Sequence, residues 1–98
     1  MLVKIHKAED RKIVSIADKD IIGKEFEEGE KYLKISEYFY NGEEMEEEKI
    51  LELLKSTNSA NIVGENAIKF AIDNSIIEED HILKVEGVPC AIVIFDES

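Results

Sequence analysis

The sequence predicts one α+β domain over residues 1–98, with a mostly antiparallel sheet of about five strands and two helices between the third and fourth strands. Apolar and polar residues alternate near the amino terminus, as in half-buried strands. The period then changes to that of amphipathic helices, and an apolar run follows near the carboxy terminus. The 98 residues, 44% of them apolar, are enough for one hydrophobic core.

The first half of the chain carries the strand pattern. Two alternating segments at 2–8 and 12–17 are separated by a charged turn and predict a hairpin. Residues 18–30 contain two glycines and many acids, which predicts an excursion that includes a short helical turn. A third strand is predicted at 31–36, and Asn41-Gly42 predicts a tight turn after it.

Two helices and two further strands are predicted in the second half. From Glu44 the apolar residues fall on one helical stripe with glutamates opposite, and the acids in its first turns suit a helix amino terminus. Capping-type residues at 56–59 separate it from a second helix at about 61–74. Strands follow at 81–86 and 90–95. The last is apolar on both faces, which predicts an interior strand.

Charge is distributed unevenly along the chain. The net charge is −11, with −1 in residues 1–40 and −10 in residues 41–98. Such a field repels phosphate, so it counts against indiscriminate binding to nucleic acid or to an anionic membrane. A single cysteine, Cys90, and the lack of an apolar run of about 20 residues predict a cytoplasmic protein without a disulfide framework or a membrane partner.

Neither a metal site nor a catalytic residue is predicted, and no cofactor is expected. His6, His81 and Cys90 lack the short ligand spacings of preformed metal sites, so surface histidines and a buried thiol are the simpler interpretation. Cys90 follows a proline and precedes an apolar strand, which is typical of an inert thiol.

A partly basic face is predicted on the sheet. Lys4, His6 and Lys34 point outward from the predicted strands, with Tyr38 nearby. Such a face can stack bases and contact RNA phosphates. The alternative is that these side chains only solvate the exposed side of a half-buried sheet.

A small, polar segment enters the predicted second helix and is a candidate anion site. It contributes Ser59, Asn61, Gly64 and Glu65, and Lys24 in the 18–30 loop is the candidate cation beside it. Free backbone N–H groups at a helix start can hold an anion. The alternative is an ordinary capped helix.

The acidic helix face, residues 43–48 with Glu52, could dock a basic protein. A solvated surface helix explains the same pattern. Self-association is a further hypothesis for the chain.

Five short motifs resemble a known family. In chain order they are Gly23-Lys24, Phe26-Glu27-Glu28-Gly29, Phe39-Tyr40-x-Gly42, Ser59-Ala60-Asn61-Ile62-Val63-Gly64-Glu65 and Gly87-Val88-Pro89. Together they resemble the small archaeal family catalogued as domain of unknown function 424, over nearly the whole chain. The resemblance implies an archaeal cytosolic protein without an established activity.

The same family pattern implies a histidine after the proline and a glutamine soon afterwards. This chain has Cys90 and Ile92 there, which counts against an enzymatic role for that turn. The expected function is a non-enzymatic binding module associated with RNA, a ribonucleoprotein or the translation machinery. The alternative is a small enzyme or ligand-binding protein that uses the anion site.

Overall fold

The computed structural model describes residues 1–95. In that range the strands are β1 (Leu2–Ala8), β2 (Arg11–Ala17), β3 (Glu25–Glu28), β4 (Lys31–Lys34), β5 (Glu43–Glu44), β6 (Ser59–Val63), β7 (Leu83–Val85) and β8 (Val88–Ile94). The α-helices are α1 (Glu37–Tyr40), α2 (Glu47–Leu54) and α3 (Glu65–Asp73). Two 3-10 turns lie at Lys19–Ile21 and Glu79–His81.

Six strands form one sheet in the order β5-β1-β2-β6-β8-β7. Every neighbouring pair is antiparallel except β2 and β6, which are parallel. β3 and β4 form a separate antiparallel hairpin. The predicted α+β class and the mostly antiparallel sheet are therefore confirmed.

The amino-terminal hairpin and the first long helix agree with the sequence pattern. β1 pairs with β2 from Leu2↔Ala17 to Ala8↔Arg11, so the predicted hairpin is confirmed. The helical turn predicted in the 18–30 excursion is the 3-10 turn Lys19–Ile21. α2 buries Ile50 and Leu54, two members of the predicted apolar stripe.

The start of the second helix was predicted wrongly. Residues 59–63 form β6 at the centre of the sheet, and α3 begins only at Glu65. The two longer helices do lie between the predicted third strand (31–36) and the predicted fourth strand (81–86), but β6, a strand that was not predicted, separates them. Pairing with β2 on one side and β8 on the other outweighs the weak local preference of this short segment.

The third predicted strand also differs from the structure. β4 ends at Lys34 and pairs only with β3, a strand formed by Glu25–Glu28 within the predicted excursion. The residues after it form α1, whose first turn is capped by the Ser36 side chain, which accepts from the Phe39 amide at 3.2 Å.

The sheet has two unequal faces. α2 and α3 cover one face, and the largest hydrophobic cluster lies there; its sheet members include Val3, Val14, Ile16, Ala60, Ile62 and Ala91. The other face is covered at one end only, where the segment from Ile21 to Tyr40 packs on Ala17 and Val63 through the buried Ile35.

β8 lies inside the sheet, as predicted, because it pairs with both β6 and β7. Its apolar side chains are nevertheless not all buried. Ile92 and Ile94 are 72% and 73% exposed, since the segment that covers part of their face does not reach them.

The helices of residues 1–95 were also compared with the length and hydropathy of membrane spans, and none of them qualifies as a span.

Candidate binding face

The sheet face turned away from α2 and α3 is the candidate functional site, and we call its part on β1, β2, β6 and β8 the open face. Ser15 on this face is buried, because α1 lies over it. Strand register defines two rows of side chains across the open face. One row is Lys4, Ser15, Asn61 and Ile92, and the next is His6, Ile13, Ser59 and Ile94. Side chains alternate between the two faces along each strand, so every member of these rows points the same way.

The open face differs in charge from the rest of the protein. Lys4, His6 and Arg11 belong to this face. The described residues of its four strands present no carboxylate on it. Glu44 on the edge strand β5 lies at its border, opposite Leu2. In a chain of net charge −11, this face is therefore locally neutral to basic.

α1 is held against the open face by side chains of β1 and β2. The His6 and Phe39 rings stack with their centroids 4.3 Å apart. His6 Nε2 donates to the Phe39 carbonyl at 2.9 Å, and Ser15 Oγ donates to the same oxygen at 2.7 Å. Lys4 Nζ donates to the Tyr38 carbonyl and lies 4.7 Å from the centre of the Tyr38 ring.

These contacts bring three of the predicted RNA-face residues together. Lys4, His6 and Tyr38 form one patch, and the Tyr38 side chain is 81% exposed. Lys34 is placed elsewhere, on β4 opposite Glu25, so the predicted face does not extend to the third predicted strand. Whether this patch binds RNA stays a prediction.

The candidate anion-site residues are divided between two places. Ser59 and Asn61 lie on the open face, and Gly64 and Glu65 lie at the start of α3. Lys24 is in the loop before β3, where its carbonyl accepts from the Ile35 amide at 3.0 Å. The predicted position of Asn61 at a helix start is therefore wrong, because the residue pairs with Ser15 and Ile92 in the sheet.

The amino terminus of α3 is capped by Asp18, the residue that directly follows β2. The Asp18 carboxylate accepts from the Asn66 and Ala67 amides, each at 2.9 Å. Gly64 allows this approach, because a Cβ there would lie 2.5 Å from Asp18 Cγ and its φ is +110°. The amides that could have held an external anion already bind this side chain.

A groove of about 350 Å³ adjoins the same helix start, and carboxylates dominate its wall. Its acidic lining residues are Asp18, Asp20, Glu65 and Glu86. Their charge opposes an anionic ligand at this position. The binding role of the candidate residues stays a prediction, and this geometry argues against it.

Cys90 lies on β8, half-buried, and burial raises the pKa of its thiol. A higher pKa leaves less thiolate at neutral pH, in agreement with the interpretation of an inert thiol. β2 and β6 separate Cys90 from the strand that carries His6, so the structure does not bring these two potential ligands together.

The acidic segment is also divided. Glu43 and Glu44 form β5, and the acids that follow lie at the start of α2. Glu52 is exposed and forms a 3.5 Å ion pair with Lys55. Docking of a basic protein on this helix stays a prediction.

Sequence reasoning missed Arg11, Ile92 and Ile94 as members of the open face, and it missed Asp18 as a cap. The alternation of 12–17 extended back to residue 11 would have placed Arg11 with Ile13 and Ser15. No local signal joins Asp18 to a helix 48 residues later.

Comparison with known proteins gives a family and a similar structure. The family model described as protein of unknown function (DUF424) matches residues 6–95. A crystal structure of an uncharacterised conserved protein from Methanopyrus kandleri is similar, with a TM-score of 0.78 and 30% identity, over 99% of this chain and 94% of that chain. No curated protein matches. The family predicted from the sequence motifs is confirmed, and the chain belongs to the family of proteins of unknown function named DUF424.

Proposed function

We propose that this protein is a non-enzymatic binding module that associates with single-stranded RNA through the open face around Tyr38. The single observation that carries the proposal is the exposed Tyr38 ring beside Lys4, with His6 and Arg11 on the same sheet face, whose four strands present no carboxylate there. Single-stranded RNA is held by aromatic rings on which bases stack and by cations that contact phosphates.

Local charge supports the choice of this surface. The net charge of −11 repels RNA from most of the molecule, so contact is favoured where carboxylates are missing. Few cations are available there, which predicts modest affinity. If Lys4 and Arg11 each contact one phosphate, the logarithm of the association constant should fall with the logarithm of salt concentration with a slope of roughly −1.4.

The contacts of α1 support a preorganised patch. Lys4, His6 and Ser15 hold the main chain of Phe39 and Tyr38, so the exposed ring is carried on a fixed helix. A base that stacks on Tyr38 would lose little conformational freedom of the protein on binding.

The test uses a labelled single-stranded RNA of about 12 nucleotides and fluorescence anisotropy over a salt series. We expect Tyr38→Ala to weaken binding about tenfold, because one stacked base is lost. Arg11→Ala should weaken binding and make the salt slope shallower by about 0.7.

The matched control is Tyr32→Ala, which removes an exposed tyrosine, 59% accessible, from the β3–β4 hairpin. It should leave binding unchanged. Equal losses for Tyr38→Ala and Tyr32→Ala, or no binding of RNA by the wild-type chain at low salt, would contradict the proposal. Thermal unfolding of each variant separates lost binding from lost fold.

A further inference from the structure

We infer that the outer edge of β8 is a self-pairing edge, through which a second copy of this chain adds to the sheet around Val93. This inference goes beyond the proposed RNA association and uses different residues. It rests on the pairing of β8, on the exposure of Ile92 and Ile94, and on the charge of the surface around them.

The first observation is that β7 covers only part of β8. β7 pairs with Val88, Pro89 and Cys90, and the rest of β8 extends beyond it. A groove of about 510 Å³ runs beside that uncovered part, between β8 and residues 75–78, so the edge is accessible. The titratable groups of this groove are Glu78 and His81.

The second observation is the direction of the backbone groups. Gly64 N–H donates to the Pro89 carbonyl, and Phe95 N–H donates to the Asn58 carbonyl, each at 2.9 Å. Hydrogen-bonded pairs alternate along an antiparallel ladder, so Ala91 and Val93 also bond to β6. The N–H and C=O groups of Ile92 and Ile94 therefore face the outer edge. Among residues 1–95, these groups have no backbone hydrogen-bond partner on that side.

The outward-facing backbone groups of Ile92 and Ile94 can pair with the same groups of a second copy. If a two-fold axis passes beside Val93, Ile92 of one copy lies opposite the partner's Ile94. Each Ile92 N–H then donates to the partner's Ile94 carbonyl, and each Ile94 N–H donates to the partner's Ile92 carbonyl. The isoleucine side chains from both copies meet on the same side of the joined sheet and bury the surface that each copy exposes.

The charge beside this edge permits the approach of a second copy. Two chains of net charge −11 repel each other over most of their surfaces. Beside Ile92 and Ile94 the neighbours on the open face are Asn61 and Ser59, which are uncharged. On the open face, therefore, no carboxylate of one copy meets a carboxylate of the other, and the Glu78 carboxylate in the groove beside the edge shares that groove with His81.

The interface is small, so the dimer should be weak and should depend on concentration. Sedimentation velocity of the purified, RNA-free chain up to about 1 mM should show a mass that rises toward twice the 11.2 kDa of one chain. Amide exchange should slow about tenfold for Ile92 and Ile94 as the concentration rises, with the Val93 amide unchanged because it bonds to β6.

Two variants test the edge directly. Ile92→Lys places a charge in the joined isoleucine cluster and should weaken dimerisation about tenfold or more. Ile94→Pro removes an outward N–H without removing a bond to β6, so it should abolish the dimer while the monomer folds. The matched control, Tyr32→Lys, makes the same charge change on the hairpin and should leave the dimer intact.

A monomer at every concentration overturns the inference, and so does a dimer that Ile92→Lys and Ile94→Pro leave unchanged. Loss of dimerisation leaves the RNA proposal standing, because Tyr38 and Arg11 lie away from this edge, on α1 and β2. Failure of RNA binding likewise leaves the dimer test unaffected.

Discussion

Asp18 shows how much of the fold depends on a single side chain. It follows β2, is 7% exposed and satisfies two backbone amides at the start of α3. Those amides have no partner within the helix. Removal of the Asp18 carboxylate would therefore leave both donors without a protein acceptor. The positive φ of Gly64 serves the same contact, because a side chain there would collide with the carboxylate.

Asp18→Ala should therefore lower the free energy of unfolding by about 2 kcal/mol, measured by urea denaturation. Asp20→Ala is the matched control, since Asp20 is exposed two residues later and should change stability by less than about 0.5 kcal/mol. Similar losses for both variants would show that the cap contributes little.

Among the described residues, 1–95, the β3–β4 hairpin forms no strand ladder with the main sheet. Its contacts with the turn after β7 include two reciprocal hydrogen bonds. The Glu27 amide donates to the Glu86 carboxylate, and the Glu86 amide donates to the Glu28 carboxylate, each at 2.7 Å. Lys31 Nζ adds a bond to the Lys84 carbonyl at 2.9 Å.

Glu28→Ala should loosen this attachment without unfolding the sheet. We expect faster hydrogen exchange at the Glu86 amide, and a change in global stability below about 1 kcal/mol, because the bond is exposed to water. Glu30→Ala, in the tight turn of the same hairpin, is the control and should leave Glu86 exchange unchanged. Unchanged exchange in Glu28→Ala would contradict the attachment.

The whole molecule carries a strong excess of negative charge. The Lys–carboxylate pairs found in residues 1–95, Glu52–Lys55 and Lys69–Asp73, are both exposed and within one helical turn. Such pairs contribute little to stability. Added salt therefore screens little attraction between opposite charges and much repulsion among the carboxylates.

Stability should therefore rise with ionic strength. We expect Tm to increase by several degrees between low salt and about 0.5 M NaCl, measured by calorimetry, because the Debye length shrinks below the spacing of most surface charges. A Tm that falls over this range would show that attractive pairs dominate. The same series with the Tyr32→Lys variant, which removes part of the excess charge, should show a smaller increase.

Local patterns in the sequence were sufficient for the features that depend on neighbouring residues. The β1–β2 hairpin follows from alternation around a short turn, and α2 from its apolar stripe. Five short motifs taken together, among them Ser59 to Glu65, were enough to identify the family. Lys4, His6 and Tyr38 were also named from the sequence, although their mutual contact was not.

Long-range pairing decided the rest. The segment 59–63 has only a weak preference between helix and strand, within about 1 kcal/mol, so its two partner strands determine its conformation. The open face exists because the helices cover one side of the sheet and the 21–40 segment covers only part of the other. The free edge at Ile92 and Ile94 exists because β7 is shorter than β8, and a strand's length relative to its partner is known only once both are paired.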